Sequence, residues 1–108
     1  MTTTFDKREE GFEKKFAHDE ELRFKAHARR NRMLGMWAAG KLGISGTDAE
    51  AYAKAVVMAD LEEAGDNDVF KKIRNDFDGK GVAQSDAQIR HAMEDLMAKA
   101  IADIKAGK

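Results

Sequence analysis

The 108-residue chain contains no cysteine and no proline. Without cysteine there is no disulfide framework, no thiolate nucleophile and no zinc site built on thiolates. Without proline, glycine is the residue that most readily ends a helix. The longest stretch free of strongly polar residues is 33–40, far short of the roughly 18 apolar residues that span a membrane. The first residues also lack the apolar core of a signal peptide.

Neither sign of charge dominates, because 19 basic residues are matched by 20 acidic ones and the formal net charge is -1. Proteins that bind nucleic acids or membrane surfaces electrostatically carry a basic excess, so neither partner is expected. The charges are arranged in blocks: residues 22–41 hold six bases and no acid, whereas residues 48–68 hold one base and seven acids. We expect these two blocks to lie side by side and neutralise each other.

Hydrophobic periodicity predicts four amphipathic helices. Their ends are indicated by glycines and by residues that cap helix N-termini. The first ends near Leu42–Gly43; the second is opened by a Thr47–Glu50 capping box and ended by Gly65; the third is capped by Asp66, Asn67 or Asp68 and ended by residues 79–81; the fourth is opened by a Ser85–Gln88 capping box. Connections of a few residues favour an all-α fold, a four-helix antiparallel bundle.

Residues 35–41, GMWAAGK, match the first seven positions of a P-loop. A P-loop requires a preceding buried strand and a Ser or Thr after the lysine, but the preceding residues are basic and Leu42 follows. We expect the small residues of this stretch instead to let a neighbouring helix approach closely beside Trp37. These small residues are Gly35, Ala38, Ala39 and Gly40.

Three other sets of residues resemble parts of functional sites. The histidines lack the orienting partner and the nucleophile of a catalytic site, so no enzyme activity is expected. The aspartate pairs lack the bidentate glutamate of a calcium loop, so no metal is expected. The methionines lie at helical spacing and are expected to fill the core. The residues concerned are His18, His27 and His91; Asp66, Asp68, Asp76 and Asp78; and Met33, Met36, Met93 and Met97.

Basic residues surround Phe24 in the first helix. Such a stripe is one pattern of RNA binding, and a small helical module that binds nucleotide or RNA through this helix is the alternative function. The near-neutral total charge and the acidic second helix favour a solvated or protein-contacting face. The basic residues are Arg23, Lys25, Arg29, Arg30 and Arg32.

Three of the six phenylalanines lie among the first 21 residues, which also hold eleven charged residues. Spacings of seven and four place Phe5, Phe12 and Phe16 on one helical stripe. Gly11 costs such a helix about 1 kcal/mol, and an isolated helix of this length is marginal. We infer a segment that is frayed alone and becomes helical against a partner, with the aromatic rings as anchors.

A family resemblance is carried by residues 3–19 (TTFDKREEGFEKKFAHD), 24–31 (FKAHARRN) and 34–39 (LGMWAA), and it continues through 53–57 and 65–70. These stretches closely resemble the zeta-type inhibitor subunit of α-proteobacterial F-type ATP synthase. The resemblance spans essentially the whole chain and weakens after about residue 78.

The resemblance implies a regulatory inhibitor of ATP hydrolysis. A mobile N-terminal segment, residues 1–18, would become helical as it inserts among the α and β subunits and near the rotor, and so block rotation. Residues 19–108 would form the bundle that anchors this segment. The implied contact residues are Thr3, Thr4, Phe5, Asp6, Arg8, Glu9, Phe12, Lys14, Lys15 and Phe16.

The same resemblance implies the partners and the location of the chain. The partners would be the α, β and γ subunits of the F-type ATPase, with no nucleic acid and no membrane insertion, and the free chain would be a monomer. The location would be cytoplasmic, at the inner membrane through the ATP synthase. No cofactor is expected, although the P-loop fragment and the acidic second helix leave open weak binding of adenine nucleotide by the bundle.

Overall fold

The computed structural model describes residues 20–62 and 66–107, and for Leu61 and Glu62 it describes the backbone alone. Within these residues the chain forms four helices and no strand. They are α1 (Glu20–Leu42), α2 (Gly46–Glu62), α3 (Asn67–Lys80) and α4 (Asp86–Lys105). The predicted all-α fold is confirmed. The predicted N-terminal segment and the predicted cap at Gly65 lie outside the described residues.

Helix α1 is the central helix and packs against each of the other three. Short connections turn each helix back along its predecessor. Arg29, near the start of α1, pairs with Asp103 near the end of α4 at 3.6 Å. Lys41, at the end of α1, instead lines a groove with Gln88 near the start of α4. The two helices therefore run in opposite directions, as the predicted antiparallel bundle requires.

The core lies where the apolar faces of the four helices meet. Fully buried side chains from all four helices form it, among them Leu34, Val56, Phe77 and Ile89. The rings of Trp37 and Phe77 meet edge to face, with their centroids 5.7 Å apart and their planes inclined by 61°. This is a favourable arrangement for aromatic quadrupoles. The predicted apolar stripes thus face one another in a single core.

The methionines expected in the core divide into two groups. Met93 is buried, and Met33 and Met97 are half-buried, as expected. Met36 is 40% exposed, so its predicted place in the core is wrong. The reason is its position two residues after buried Leu34, which turns it almost to the opposite side of the helix.

Helices α1 and α2 approach each other most closely at Gly35. A Cβ atom at this position would lie only 2.6 Å from Cα of Ala53, so a residue with a side chain would force the helices apart. Ala38 and Ala39 on the same helix are fully buried. Gly40 was expected to join this contact, but a Cβ there would meet nothing within 4 Å. The close approach is therefore confirmed for the first three residues and wrong for Gly40, which faces outward.

Two of the predicted helix ends are confirmed by their hydrogen bonds. The backbone N–H of Gln88 donates to Oγ of Ser85 at 3.1 Å, and the backbone N–H of Ser85 donates to Oε1 of Gln88 at 2.8 Å. This is the reciprocal pair of a capping box. Gly81 ends α3 in the left-handed conformation, with φ +69°, which glycine adopts without steric cost.

Two other predicted caps are wrong. Helix α2 already begins at Gly46, and the carbonyl of Ser45 accepts from the backbone N–H of Ala49 at 3.4 Å. Thr47 therefore lies inside the first turn. Asp66 does occupy the N-cap position of α3, but its side chain makes no capping hydrogen bond. Its backbone is helical, with φ -83° and ψ -10°, whereas a capping residue is usually extended.

The contact at Gly35 predicts opposite effects for two glycine-to-alanine substitutions in α1. Gly35→Ala should destabilise the bundle by about 2 kcal/mol, because the new methyl group overpacks the contact with Ala53. Gly40→Ala should stabilise it by about 0.5–1 kcal/mol, because alanine is the better helix former and space is available. Urea unfolding followed by circular dichroism measures both, and equal shifts of the two variants would contradict the close approach.

Candidate partner-binding surface and the charged cluster behind it

The ten residues that the sequence assigns to partner binding all precede residue 20 and lie outside the described residues. The structure describes the bundle to which this segment is joined, and the junction is the start of α1, the central helix. The ten residues are Thr3, Thr4, Phe5, Asp6, Arg8, Glu9, Phe12, Lys14, Lys15 and Phe16. The charged and apolar side chains of α1 are therefore the described groups nearest along the chain to these ten residues.

The basic residues of α1 do not form one exposed face. Arg30 is the largest fully buried side chain described, with 1% exposed, while Lys25 pairs with Glu21 on the surface at 3.3 Å. Five bases within ten residues of a helix point in different directions, because each residue turns the helix by about 100°. A continuous basic stripe, which the RNA-binding alternative would use, is therefore not present along α1, and the interpretation of these bases as a solvated or protein-contacting face is wrong for Arg30.

Arg30 is held by two side-chain acceptors. Its Nη2 donates to Oδ1 of Asp66 at 2.6 Å, across from α1 to the start of α3, and its Nε donates to Oδ1 of Asn31 at 2.7 Å. A buried guanidinium without such partners would be costly. The pair also joins the basic block of the sequence to the acidic block, so the expected neutralisation is confirmed at this point.

The cations around Asp66 lower the pKa of its carboxyl. The Arg30 guanidinium, through its hydrogen bond, holds the pKa of the Asp66 carboxyl below its ordinary value, against the opposing effect of partial burial. Nδ1 of His27 lies 3.9 Å from the same carboxylate, and a proton on this imidazole would lower the Asp66 pKa further. Asp66 is therefore ionised at neutral pH and provides the countercharge for Arg30.

A second polar contact joins α2 to α3. The hydroxyl of Tyr52 donates to Oδ2 of Asp76 at 2.7 Å, and Nζ of Lys72 lies 3.2 Å from the same oxygen. Burial, together with this hydrogen bond, raises the pKa of the Tyr52 hydroxyl above its ordinary value. Asp76, one of the aspartates for which no metal is expected, lies within α3 and accepts one hydrogen bond from Tyr52 of α2 and another from Lys72 of its own helix.

Arg74 makes the corresponding connection between α3 and α4. It pairs with Asp78 at 2.7 Å and with Asp86 at 3.0 Å, and its Nη1 donates to the backbone carbonyl of Gln84 at 2.6 Å. Among residues 20–62 and 66–107, no three acidic or histidine side chains come together as metal ligands. Three of the four aspartates considered for calcium, Asp66, Asp76 and Asp78, pair with Arg30, Lys72 and Arg74.

The stretch that resembles a P-loop is helical throughout. Residues 35–41 belong to α1, where backbone N–H groups bond within the helix and do not form the cradle of a phosphate. The interpretation of this match as a packing motif is confirmed for Gly35, Ala38 and Ala39 and is wrong for Gly40.

The start of α1 presents the most exposed large apolar side chain of the described residues. Phe24 is 62% exposed. With Ile104, near the end of α4, it lines a shallow groove of about 420 Å³. This exposed ring lies only four residues after the point where the described part of α1 begins.

The fold defines a small, all-helical bundle whose charged groups connect its helices. The family described as ATPase inhibitor subunit zeta matches residues 1–103, so this chain belongs to that family of ATPase inhibitors. A protein solved in solution by NMR is 47% identical, with a TM-score of 0.71. The match covers 81% of this chain and 99% of that one. No curated protein matches the chain.

The main site that sequence reasoning missed is the Arg30–Asp66 pair. A signal for it was present, because Arg30 lies four residues after Ala26 and four residues before Leu34. These positions share one face of a helix, and all three are buried. A single arginine on an apolar stripe indicates a buried ion pair, although its partner in the distant α2–α3 connection is not evident from spacing.

The pair predicts that Asp66 contributes to the pH dependence of folding. Because its pKa is lower in the folded chain, its stabilisation is present above the ordinary aspartate pKa and is lost as pH falls through the lowered value. Asp66→Asn should reduce the free energy of unfolding at pH 7 by about 1–2 kcal/mol. Below about pH 4, the difference from the wild-type chain should shrink.

The matched control is Asp95→Asn, which removes a carboxylate that pairs with exposed His91 on the same helix. Its effect should stay within about 0.5 kcal/mol, as for exposed pairs in general. Urea unfolding at pH 3, 5 and 7 makes the comparison. A constant difference between wild type and Asp66→Asn at all three values would contradict the assignment.

Proposed function

We propose that this chain inhibits ATP hydrolysis by an F-type ATP synthase through its N-terminal segment. The segment inserts among the α and β subunits and near the γ subunit of the rotor, becomes helical there, and blocks rotation. The four-helix bundle anchors it. The chain acts as a non-catalytic regulator and requires no cofactor.

The observation that carries this proposal is the extent of the family match. It begins at residue 1 and ends at residue 103, so it includes the aromatic segment as well as the bundle. The family match therefore covers the segment whose three phenylalanines have spacings suited to anchoring on a partner.

The architecture of the bundle supports the division of roles. All four helices contribute fully buried side chains to the described core. The N-terminal segment continues directly into α1, which is uninterrupted from Glu20 to Leu42 and packs against the three other helices. Glu20, the first residue described after the N-terminal segment, therefore belongs to the central helix of the bundle.

The proposal also sets the location of the chain. It binds the catalytic head of the synthase and is held at the cytoplasmic side of the inner membrane through that complex. Within the described residues, none of the helices combines the length and the apolar character needed to cross a bilayer.

Phe12→Ala and Phe5→Ala test the proposed anchors. Each substitution should weaken inhibition by about 2 kcal/mol, which is about 30-fold in half-inhibitory concentration. The thermal unfolding of the bundle should be unchanged, because the proposed role of these rings is to contact the partner. The measurement is ATP hydrolysis by an activated α-proteobacterial F-type ATPase, titrated with each variant.

The control is Lys7→Ala, a substitution in the same segment at a residue outside the implied contact set. It should inhibit nearly as well as the wild-type chain. Wild-type inhibition by both phenylalanine variants would refute the anchor role of the rings.

A further inference from the structure

Helix α1 extends beyond the end of α2, one of the three helices that pack against it. Because α1 and α2 are antiparallel and Gly35 lies against Ala53, the last residue of α2, Glu62, is level with about residue 26 of α1. Residues 20–25 therefore continue past the end of α2, by about 9 Å at 1.5 Å per residue. Ala26 is the first buried residue of α1. We call residues 20–25 the α1 extension.

Phe24 lies in this extension. Its side chain is 62% exposed, and it shares the shallow groove of about 420 Å³ with Ile104. An exposed aromatic ring beside an apolar groove is a common feature of protein-binding surfaces. The bundle core does not use this ring.

The charges beside Phe24 indicate the chemistry of a partner. Lys25 is 59% exposed and pairs with Glu21, which is itself 78% exposed. A surface pair of this kind contributes little to stability, so Lys25 can exchange Glu21 for a carboxylate on a partner without destabilising the bundle. The surface complementary to Phe24 and Lys25 is therefore an apolar pocket with a carboxylate beside it.

The position of the extension indicates which partner this is. The segment proposed to enter the ATPase ends at about residue 18, and α1 begins at Glu20. Phe24 follows Phe16 by eight residues of chain, which span at most about 28 Å even when fully extended. A protein that holds the segment up to Phe16 is therefore within reach of the extension as well.

We infer that the α1 extension, with Phe24 as its anchor and Lys25 at its rim, is a second contact with the catalytic head of the F-type ATPase, continuous with the N-terminal segment. This inference rests on the proposed function. It extends the partner-binding surface past residue 18 and onto the bundle.

The test compares full-length Phe24→Ala with full-length Met58→Ala as inhibitors of the activated ATPase. Met58 is a matched control because its side chain is 60% exposed and lies on α2. Phe24→Ala should raise the half-inhibitory concentration about tenfold or more, whereas Met58→Ala should stay within about twofold of wild type. Both should melt within about 2 °C of wild type, as expected for exposed residues.

Three results would overturn the inference. One is wild-type inhibition by Phe24→Ala, another is an equal loss in both variants, and the third is a large drop in melting temperature for Phe24→Ala, which would make Phe24 a structural residue. Phe12→Ala, measured in parallel, separates this inference from the proposed function. Loss with Phe12→Ala but not with Phe24→Ala refutes the second contact alone, and loss with neither refutes the proposed function too.

A photo-crosslinking phenylalanine analogue at position 24 tests the contact without an activity readout. A cross-link from position 24, and not from position 58, to an α or β subunit of the purified ATPase would support the inference. A cross-link confined to the chain's own N-terminal segment, or to a second copy of the chain, in the presence of the ATPase would overturn it.

Discussion

The guanidinium of Arg30 is buried on the central helix, and a buried charge of this kind requires a partner. Asp66 provides it at 2.6 Å, and this one contact explains several features of the bundle. It fixes the start of α3 against α1 and takes the Asp66 side chain away from the N-cap that it could otherwise form. It also places a strong cation of the basic helix inside the fold, where it is not available to an external ligand.

The other cross-helix polar contacts follow the same pattern. Tyr52 and Asp76 join α2 to α3, and Arg74 joins α3 to α4 through Asp86. Arg30 and Asp66 come from the basic and acidic blocks of the sequence, whereas Arg74, Asp76 and Asp86 lie after both blocks. The exposed groups at the start of α1 differ from these, because Phe24 has no place in the core and Lys25 has only a surface pair. Partner binding is thus proposed for the end of the bundle where the N-terminal segment joins it.

Much of the fold was predictable because its signals are local. Apolar periodicity predicted the four helices, and the Ser85–Gln88 pair and Gly81 predicted two of their ends correctly. The errors arose where tertiary contacts decided the outcome. Asp66 binds Arg30 and does not cap its helix with its side chain. Gly40 faces outward, although the small residues around it suggested a helix contact.

The charged cluster was less predictable than the fold. The position of Arg30 among apolar residues indicates burial, but its partner lies 36 residues away, and helical spacing does not identify contacts between separate elements. The N-terminal anchors were inferred from their misplaced aromatic rings and from the family resemblance. The family is confirmed over residues 1–103, while the roles of individual residues in the segment stay predictions.

The central claim is that inhibition resides in the N-terminal segment and that the bundle serves as its anchor. The most direct test is ATP hydrolysis by an activated α-proteobacterial F-type ATPase, titrated with the full-length chain and with a chain that begins at Ala17. Circular dichroism of both chains shows whether the bundle is retained. We expect the full-length chain to inhibit and the shortened chain not to inhibit, with the helices of the bundle preserved in both. Equal inhibition by the two chains would contradict it and would place the inhibitory surface on the bundle.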